Sequence, residues 1–197
     1  MHIAEGVLSA PALITGAVLS SGGIAIGLRR IKGEDIPKVA MLSSAFFVVS
    51  LIRIPFGPTS AHLVLNGLVG ILLGWPSFPS IFVGLVLQAI LFQFGGLTTL
   101  GVNTFAMAMP AVLTRYVFKG MVQRGRNAAF IAGFLGGASA MFVGALFVSI
   151  SLVETERGFT AIAGTLLAIH VPIALIEGII TGFVVVYLKR VKPEVLG

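Results

Sequence analysis

Residues 7–28 read VLSAPALITGAVLSSGGIAIGL, and Arg29 and Arg30 follow directly. The stretch contains no charged residue and reaches the roughly 20 residues that an α-helix needs to cross a bilayer. It is too long for the apolar region of a secretory signal peptide, and no Lys or Arg precedes it. The stretch therefore predicts a membrane-spanning helix with a basic flank after its C-terminal end.

The composition of the whole chain is typical of an integral membrane protein. Its 197 residues are 57% hydrophobic and 10% charged, whereas soluble domains carry roughly 25% charged residues. The net charge of +6 comes from short Lys and Arg clusters between apolar runs, a pattern of membrane loops that speaks against a nucleic-acid partner. The chain has no cysteine, which excludes disulfides and thiolate metal sites.

Seven apolar segments predict an all-α integral membrane protein with seven transmembrane helices. The chain is expected to form a single membrane domain, residues 1–197, in which a loop at 1–6 precedes the first helix. The predicted helices are 7–28, 39–53, 59–74, 78–94, 100–118, 128–153 and 159–188. The second and third are short for full spans, so they are expected to tilt or to line a cavity.

Three basic clusters predict the orientation. They lie at 29–38, 119–126 and 189–192, after the first, fifth and seventh segments. With seven spans, all three fall on one side of the membrane, which the positive-inside rule makes the cytoplasmic side. The N-terminus is therefore expected outside the cell and the C-terminus inside.

The first two residues form a candidate metal-binding group. The Met1 amine, the His2 amide nitrogen and the His2 Nδ1 can close around one metal ion as two fused chelate rings. Such planar nitrogen ligation suits Ni(II) or Cu(II). The alternative is that His2 belongs to a flexible tail and binds nothing.

His62 is the natural fourth nitrogen ligand for a planar site of this kind. It begins the third segment, so the predicted topology places it at the same outer level as His2. Polar residues at membrane depth are costly and are functional candidates by default. The alternative is an interfacial histidine that is hydrogen-bonded to loop carbonyls.

Four further polar residues are candidates to support the metal ligands. Asn66 follows His62 by four residues, so on a helix it would share the face of His62 and could orient the ring. Asn103, Gln93 and Ser60 are similar candidates near the outer side. Hydrogen bonding between helices is the alternative role for the amides, including that of Gln88.

Glu177 and Arg115 are predicted to lie at similar depth near the cytoplasmic side and to form a structural ion pair. His170 precedes Glu177 by seven residues and shares its face. It lies too deep to be assigned as a direct ligand of the outer metal site. A role for His170 or Glu177 in metal transit remains open.

The chain carries no enzyme signature. It lacks a phosphate-binding Gly-rich loop that ends in Lys-Ser/Thr, a His-Glu-x-x-His pair and a serine nucleophile with a plausible base. Any ATP hydrolysis that drives transport is therefore expected to come from another polypeptide.

Several motifs together resemble the CbiM/NikM family, the substrate-binding (S) components of energy-coupling-factor cobalt and nickel transporters. They are MHIAEG at 1–6, HLVLNGL at 62–68, GGLTTLGVN at 95–103, IEG at 176–178 and LKRVKPE at 188–194. One position departs from the pattern, because many cobalt-type members have a histidine where this chain has Phe94. The resemblance therefore does not choose between cobalt and nickel.

The resemblance implies a prokaryotic multi-pass protein of the cytoplasmic membrane that captures Ni(II) or Co(II) for an ATP-driven importer. The ion is the transported substrate, and no cofactor is expected. The implied planar ligands are the Met1 amine, the His2 amide nitrogen and imidazole, and His62. The implied partners are a coupling transmembrane (T) subunit, two ATP-binding-cassette ATPases and a small accessory membrane subunit. The alternatives are an S-component or permease for an organic solute such as a vitamin, and a structural membrane subunit without a ligand.

Overall fold

The computed structural model describes the backbone of residues 2–56 and 59–197. Side chains are described for these residues except those at 53–61. Seven α-helices occur in the described part of the chain, as predicted. They are α1 (Ala10–Arg29), α2 (Ile36–Val49), α3 (Asn66–Leu73), α4 (Ser77–Phe92), α5 (Leu100–Val122), α6 (Arg126–Thr155) and α7 (Thr160–Val191). The helical class is confirmed, with one local exception: β1 (Arg53–Phe56) and β2 (Thr59–His62) form a two-stranded antiparallel hairpin between α2 and α3.

Three helical stretches are long and apolar enough to cross a membrane, namely Ala10–Arg29, Arg126–Thr155 and Arg157–Val191. The packing of α1 agrees with a lipid environment. Its buried face carries the small residues Gly16, Ser20, Gly23 and Gly27, whereas large aliphatic side chains such as Ile14 and Val18 point outward. Small residues between helices and large apolar residues outside are typical of transmembrane bundles. The chain is a multi-pass membrane protein.

The longest helices, α6 and α7, pack closely along each other. A Cβ atom at Gly133 would lie 2.8 Å from the Cα of Gly182, and one at Gly137 would lie 2.7 Å from the carbonyl oxygen of Glu177. Any side chain at these positions would force the two backbones apart. This close contact fixes α7, which carries Glu177, against the centre of the bundle.

The predicted third helix, 59–74, is wrong over its first half. Thr59–His62 is a strand that pairs with Arg53–Phe56, and the helix begins at Asn66. The hairpin extends by one further hydrogen bond, from the Leu63 amide to the Ile52 carbonyl (3.3 Å). Extended backbone of this kind is tolerated at membrane depth where protein surrounds it. All eight residues of α3 are buried, so α3 is a short helix enclosed by its neighbours rather than a full span.

The two ends of the bundle differ in composition. Basic residues from all three predicted clusters lie at one end, here called the basic end. There the Arg30 guanidinium donates to the Tyr116 hydroxyl (3.2 Å), the Lys38 ammonium donates to the Val195 carbonyl (2.8 Å), and the Lys189 ammonium donates to the Val122 carbonyl (2.6 Å). The predicted association of the clusters with one end therefore agrees with the fold. The other end, here called the N-terminal end, holds His2.

Candidate metal-binding site

Two histidines that lie 60 positions apart meet at the N-terminal end. The Nδ1 atom of His2 lies 2.9 Å from the Nε2 atom of His62, and the ring centroids are 4.6 Å apart. These two imidazoles are the ones predicted above as metal ligands. Met1, whose amine was predicted as a further ligand, lies outside the described residues.

The separation of these two nitrogens fits the geometry of a planar metal site. Metal–imidazole bonds of about 2.0 Å at a right angle place neighbouring ligand nitrogens about 2.8 Å apart. Without a metal, the same contact is a hydrogen bond in which one ring donates N–H and the other accepts. The two rings are therefore positioned so that one divalent ion could replace the shared proton.

The protonation of His62 also suits metal binding. The hairpin positions this residue outside the transmembrane helices, yet it is only 7% exposed. Burial lowers its pKa well below the ordinary value of a histidine, because the charged imidazolium loses hydration. His62 therefore stays neutral at physiological pH and keeps a nitrogen lone pair.

The residue after His2 anchors the tail in the bundle. The backbone amide of Ile3 donates to the Asn103 Oδ1 (3.0 Å), and its carbonyl accepts from the Asn103 Nδ2 (3.2 Å) and the Thr99 hydroxyl (2.9 Å). The Ile3 side chain is 4% exposed and packs into the core. Asn103, predicted as a supporting residue, thus acts on the backbone of the tail at the start of α5. Thr99 has the same role and was missed.

A glycine pair that follows α4 gives the tail room. A Cβ at Gly95 would lie 3.0 Å from the Asn103 Nδ2 and 3.6 Å from the His2 Cβ, and one at Gly96 would overlap the Glu5 side chain. The Glu5 carboxylate accepts a hydrogen bond from the Thr98 amide (3.2 Å). Gly95 and Gly96 belong to the motif at 95–103, whose structural role the sequence alone does not indicate. Their function is to let the loop and the tail approach closely.

Glu177 supports the segment that follows His62, a role that the sequence analysis missed. Its carboxylate is fully buried and accepts hydrogen bonds from the backbone amides of Val64 and Leu65, the latter at 2.8 and 3.0 Å. Leu65 is the N-cap of α3 and has a positive φ of 54°. Leu65 has no side-chain oxygen with which to cap α3, and the carboxylate from α7 instead holds the backbone immediately before the first turn of the helix.

The predicted ion pair between Glu177 and Arg115 is wrong in the described structure, where both side chains bind backbone groups and not each other. The Arg115 guanidinium donates to the carbonyls of Ile71 (2.6 Å) and Leu72 (3.3 Å), near the C-terminus of α3. Glu177 binds the opposite terminus of the same helix. A depth estimate from helix rise alone could not reveal this, because the position of α3 depends on the hairpin before it.

Asn66 does not orient His62 in the manner predicted. Its side-chain amide donates to the carbonyls of Met107 and Ala140 (3.2 Å each), and its Oδ1 accepts from the Gly67 amide (3.0 Å). The prediction assumed helical spacing from His62, but residues 62–65 precede the helix. Asn66 instead joins α3 to α5 and α6, the alternative considered for such amides.

The remaining candidates are less central in the described structure. Gln93 is exposed at the end of α4. Gln88 is buried and donates to the Ser50 hydroxyl (2.7 Å), which ties α4 to the end of α2. The Ser60 side chain lies outside the described part. Phe94, where the family pattern often has histidine, stacks on Phe92 with a centroid distance of 5.5 Å.

Known proteins resemble this chain over nearly its whole length. A family model described as "Cobalt uptake substrate-specific transmembrane region" (CbiM) matches residues 2–195. A metal transport protein of Haemophilus influenzae is 40% identical, and the match covers all of this chain and 97% of the relative. A fused nickel transport protein, NikMN, of Archaeoglobus fulgidus is 31% identical over all of this chain and 68% of the relative.

Solved structures share the fold. The crystal structure of a transition metal transporter is 26% identical with a TM-score of 0.79, and the match covers 97% of this chain and 93% of the other. A truncated transition metal transporter gives 25% identity and the same TM-score, with 96% and 99% coverage. The predicted resemblance is thereby confirmed. The chain belongs to the CbiM family of substrate-specific transmembrane components of cobalt uptake.

Proposed function

We propose that this protein captures Ni(II) or Co(II) at its N-terminal end for an ATP-driven importer of the energy-coupling-factor type. The ligands are the Met1 amine, the His2 amide nitrogen, the His2 imidazole and the His62 imidazole. The observation that carries the proposal is the 2.9 Å approach of His2 Nδ1 to His62 Nε2, a spacing that suits neighbouring ligands of one ion.

The proposed orientation places the N-terminal end outside the cytoplasmic membrane and the basic end in the cytoplasm. The convergence of Arg30, Lys38 and Lys189 at one end supports it through the positive-inside rule. The metal site would then open toward the medium from which the ion is taken. The proposed partners are a coupling transmembrane subunit, two ATPases and a small accessory subunit.

The fold explains how a chain terminus could serve as a ligand set. A free tail would lose conformational entropy each time it closed around an ion. Here Asn103 and Thr99 hold Ile3 by its backbone, so His2 is placed before the ion arrives. The organic-solute alternative has no comparable support, and the two relatives named above are a metal transport protein and a nickel transport protein.

The proposal is tested by metal titration of purified protein that keeps its native N-terminus. We expect one tightly bound Ni(II) or Co(II) per chain. Adding one residue before Met1, or the substitution His2→Ala, should abolish binding, because each removes nitrogen ligands from the chelate. His62→Ala should weaken binding and change the visible spectrum.

The matched control carries the same added residue after Gly197 and should bind like the unmodified protein. Titration with Ni(II) and Co(II) in parallel ranks the two metals. Unchanged binding after N-terminal extension would contradict the proposed ligand set.

A further inference from the structure

The basic end of the bundle contains an open cavity that the metal site does not use. It lies between the C-terminal half of α5, the loop that joins α3 to α4, and the first turns of α2. Its volume of about 720 Å³ is within the range of small-molecule binding pockets. Four cationic side chains line it, namely Arg30, Lys38, Arg115 and Lys119.

The cavity has an excess of positive charge. Asp35 and Glu194 are its acidic lining residues in the described part of the chain, so cations outnumber carboxylates by four to two. The hydrogen bonds of Arg30, Lys38 and Arg115 go to hydroxyl or carbonyl oxygens. Such bonds satisfy the N–H groups but do not neutralise the charge. The cavity therefore attracts an anion.

Two of the cations converge. Lys119 follows Arg115 by four residues on α5, so both project from one face of the helix. A Cβ at Gly197 would lie 3.0 Å from the Arg115 Nη2 and 3.8 Å from the Lys119 Nζ. The Gly197 carbonyl itself accepts a hydrogen bond from the Gln123 side chain (2.7 Å). Like charges at this separation repel each other, and an anion beside them would remove that repulsion.

Aromatic residues place the cavity at the level of lipid headgroups. The chain has one tryptophan and two tyrosines, and all three lie at the basic end. Trp75 and Tyr116 line the cavity, and Tyr187 precedes Lys189 by two residues near the end of α7. The Arg30 guanidinium lies 5.8 Å from the centre of the Trp75 ring and donates to the Tyr116 hydroxyl. Trp and Tyr are enriched where a membrane meets water, so this level is the interface.

Exposed apolar side chains continue from the cavity toward the middle of the bundle. Leu113 precedes Tyr116 by three residues on α5, and Ile26 precedes Arg30 by four residues on α1. Each pair shares a helix face, and both Leu113 and Ile26 are exposed. The hydrogen bond between Arg30 and Tyr116 brings the two faces side by side. Acyl chains would find apolar surface directly below the charged cavity.

We propose that this cavity binds the phosphate headgroup of an anionic phospholipid, whose acyl chains lie along α1 and α5. Basic pockets between transmembrane helices are suited to such headgroups. An acidic side chain of a partner protein would also be attracted by the charge, but it would not use the interfacial aromatic residues or the apolar surface below them. Under the proposed orientation, the lipid belongs to the cytoplasmic leaflet. The inference does not depend on the metal ligands.

The test uses Trp75 as a fluorescent reporter, because it is the single tryptophan of the chain and lines the cavity. Metal-free protein is reconstituted into vesicles of phosphatidylglycerol and phosphatidylcholine, one of which carries brominated acyl chains that quench nearby tryptophan. The quenching gives the relative affinity of the two lipids for the site beside Trp75. We expect phosphatidylglycerol to be preferred by about tenfold or more. Lys119→Gln should lower this preference by about fivefold, since a basic residue at the membrane surface contributes roughly that factor.

Arg190→Gln is the matched control. Arg190 is an exposed cation in the last turn of α7, at the same end of the bundle but outside the lining of the cavity. Its replacement removes the same charge and should leave the lipid preference unchanged. Arg30→Gln provides a second variant if the Lys119 variant does not fold.

Equal affinity for the two lipids would overturn the inference and point to an acidic protein partner. An equal loss of preference in the Lys119 and Arg190 variants would overturn it too, because the effect would then be one of overall charge. Inorganic phosphate at constant ionic strength should not displace phosphatidylglycerol, since it lacks the acyl chains. Displacement would show that the cavity takes free phosphate instead of a lipid.

Discussion

The two termini of α3 are held by different side chains, a carboxyl group at the N-terminus and a guanidinium at the C-terminus. At the N-terminus the Glu177 carboxylate accepts from two backbone amides, and at the C-terminus the Arg115 guanidinium donates to two carbonyls. Glu177 is fully buried, and the amides that it binds, those of Val64 and Leu65, closely follow His62 in the chain. Arg115, in contrast, is half-buried at the basic end. Hydrogen bonds from a side chain to the helix backbone thus position the candidate site at one terminus, and at the other they mainly stabilise the fold.

The largest expected effect comes from Glu177→Leu. The substitution leaves the buried amides of Val64 and Leu65 without an acceptor, which should lower the free energy of unfolding by about 3 kcal/mol or more. Metal binding should be lost as well, because the segment after His62 loses its anchor. Thermal unfolding and metal titration in detergent measure the two effects. Glu177→Gln keeps one acceptor oxygen and should retain part of both, so normal binding by the folded leucine variant would contradict the positioning role.

Arg115→Met tests the other terminus of α3. The helix carbonyls at that end lose a charged donor, but the site is partly exposed and water can replace the donor. We expect a loss of about 1–2 kcal/mol in the free energy of unfolding and no change in metal affinity. Equal loss of metal affinity in the Arg115 and Glu177 variants would show that the two termini are not functionally distinct.

Gly95→Ala extends the comparison to the loop that touches His2. Gly95 has a φ of +78°, and a methyl group there would crowd the Asn103 amide. Gly6 is a matched control, because it has a φ of +77° but no atom within 4 Å of a Cβ. Both variants should lose about 1 kcal/mol of stability through backbone strain. Gly95→Ala alone should weaken metal binding, and equal metal affinities in isothermal titration would contradict the role of close packing at Gly95.

The smallest expected effect is on the pH dependence of stability without metal. Because burial lowers the pKa of His62 in the folded protein, the unfolded chain binds more protons below the ordinary histidine pKa of about 6.5. The free energy of unfolding should therefore fall as the pH drops below that value, by at most about 1.4 kcal/mol per pH unit from this residue. Chemical unfolding in the presence of a chelator measures the slope. His62→Gln should reduce it, and an unchanged slope would contradict the assignment.

The candidate ligands could be predicted from the sequence because they depend on local chemistry. Met1 and His2 offer an amine, an amide nitrogen and an imidazole as candidate ligands, and His62 was found as a polar residue where a bilayer penalises one. The supporting residues were harder to predict. Glu177 contacts Val64 and Leu65 across more than 110 positions, and the sequence suggested a charged partner rather than backbone amides. Asn66 was placed incorrectly because helical spacing was assumed where the chain is not helical.

Hydropathy and charge alone determined the class of the protein, the number of helices and the gathering of basic residues at one end. These features follow from the cost of placing polar groups in lipid, which each segment meets on its own. The hairpin at β1 and β2, the burial of α3 and the contact between His2 and His62 were decided only by the tertiary structure. Extended backbone can enter the bundle only where neighbouring helices shield it, and Glu177 and Asn103 can act only after folding brings α7 and α5 beside distant backbone groups.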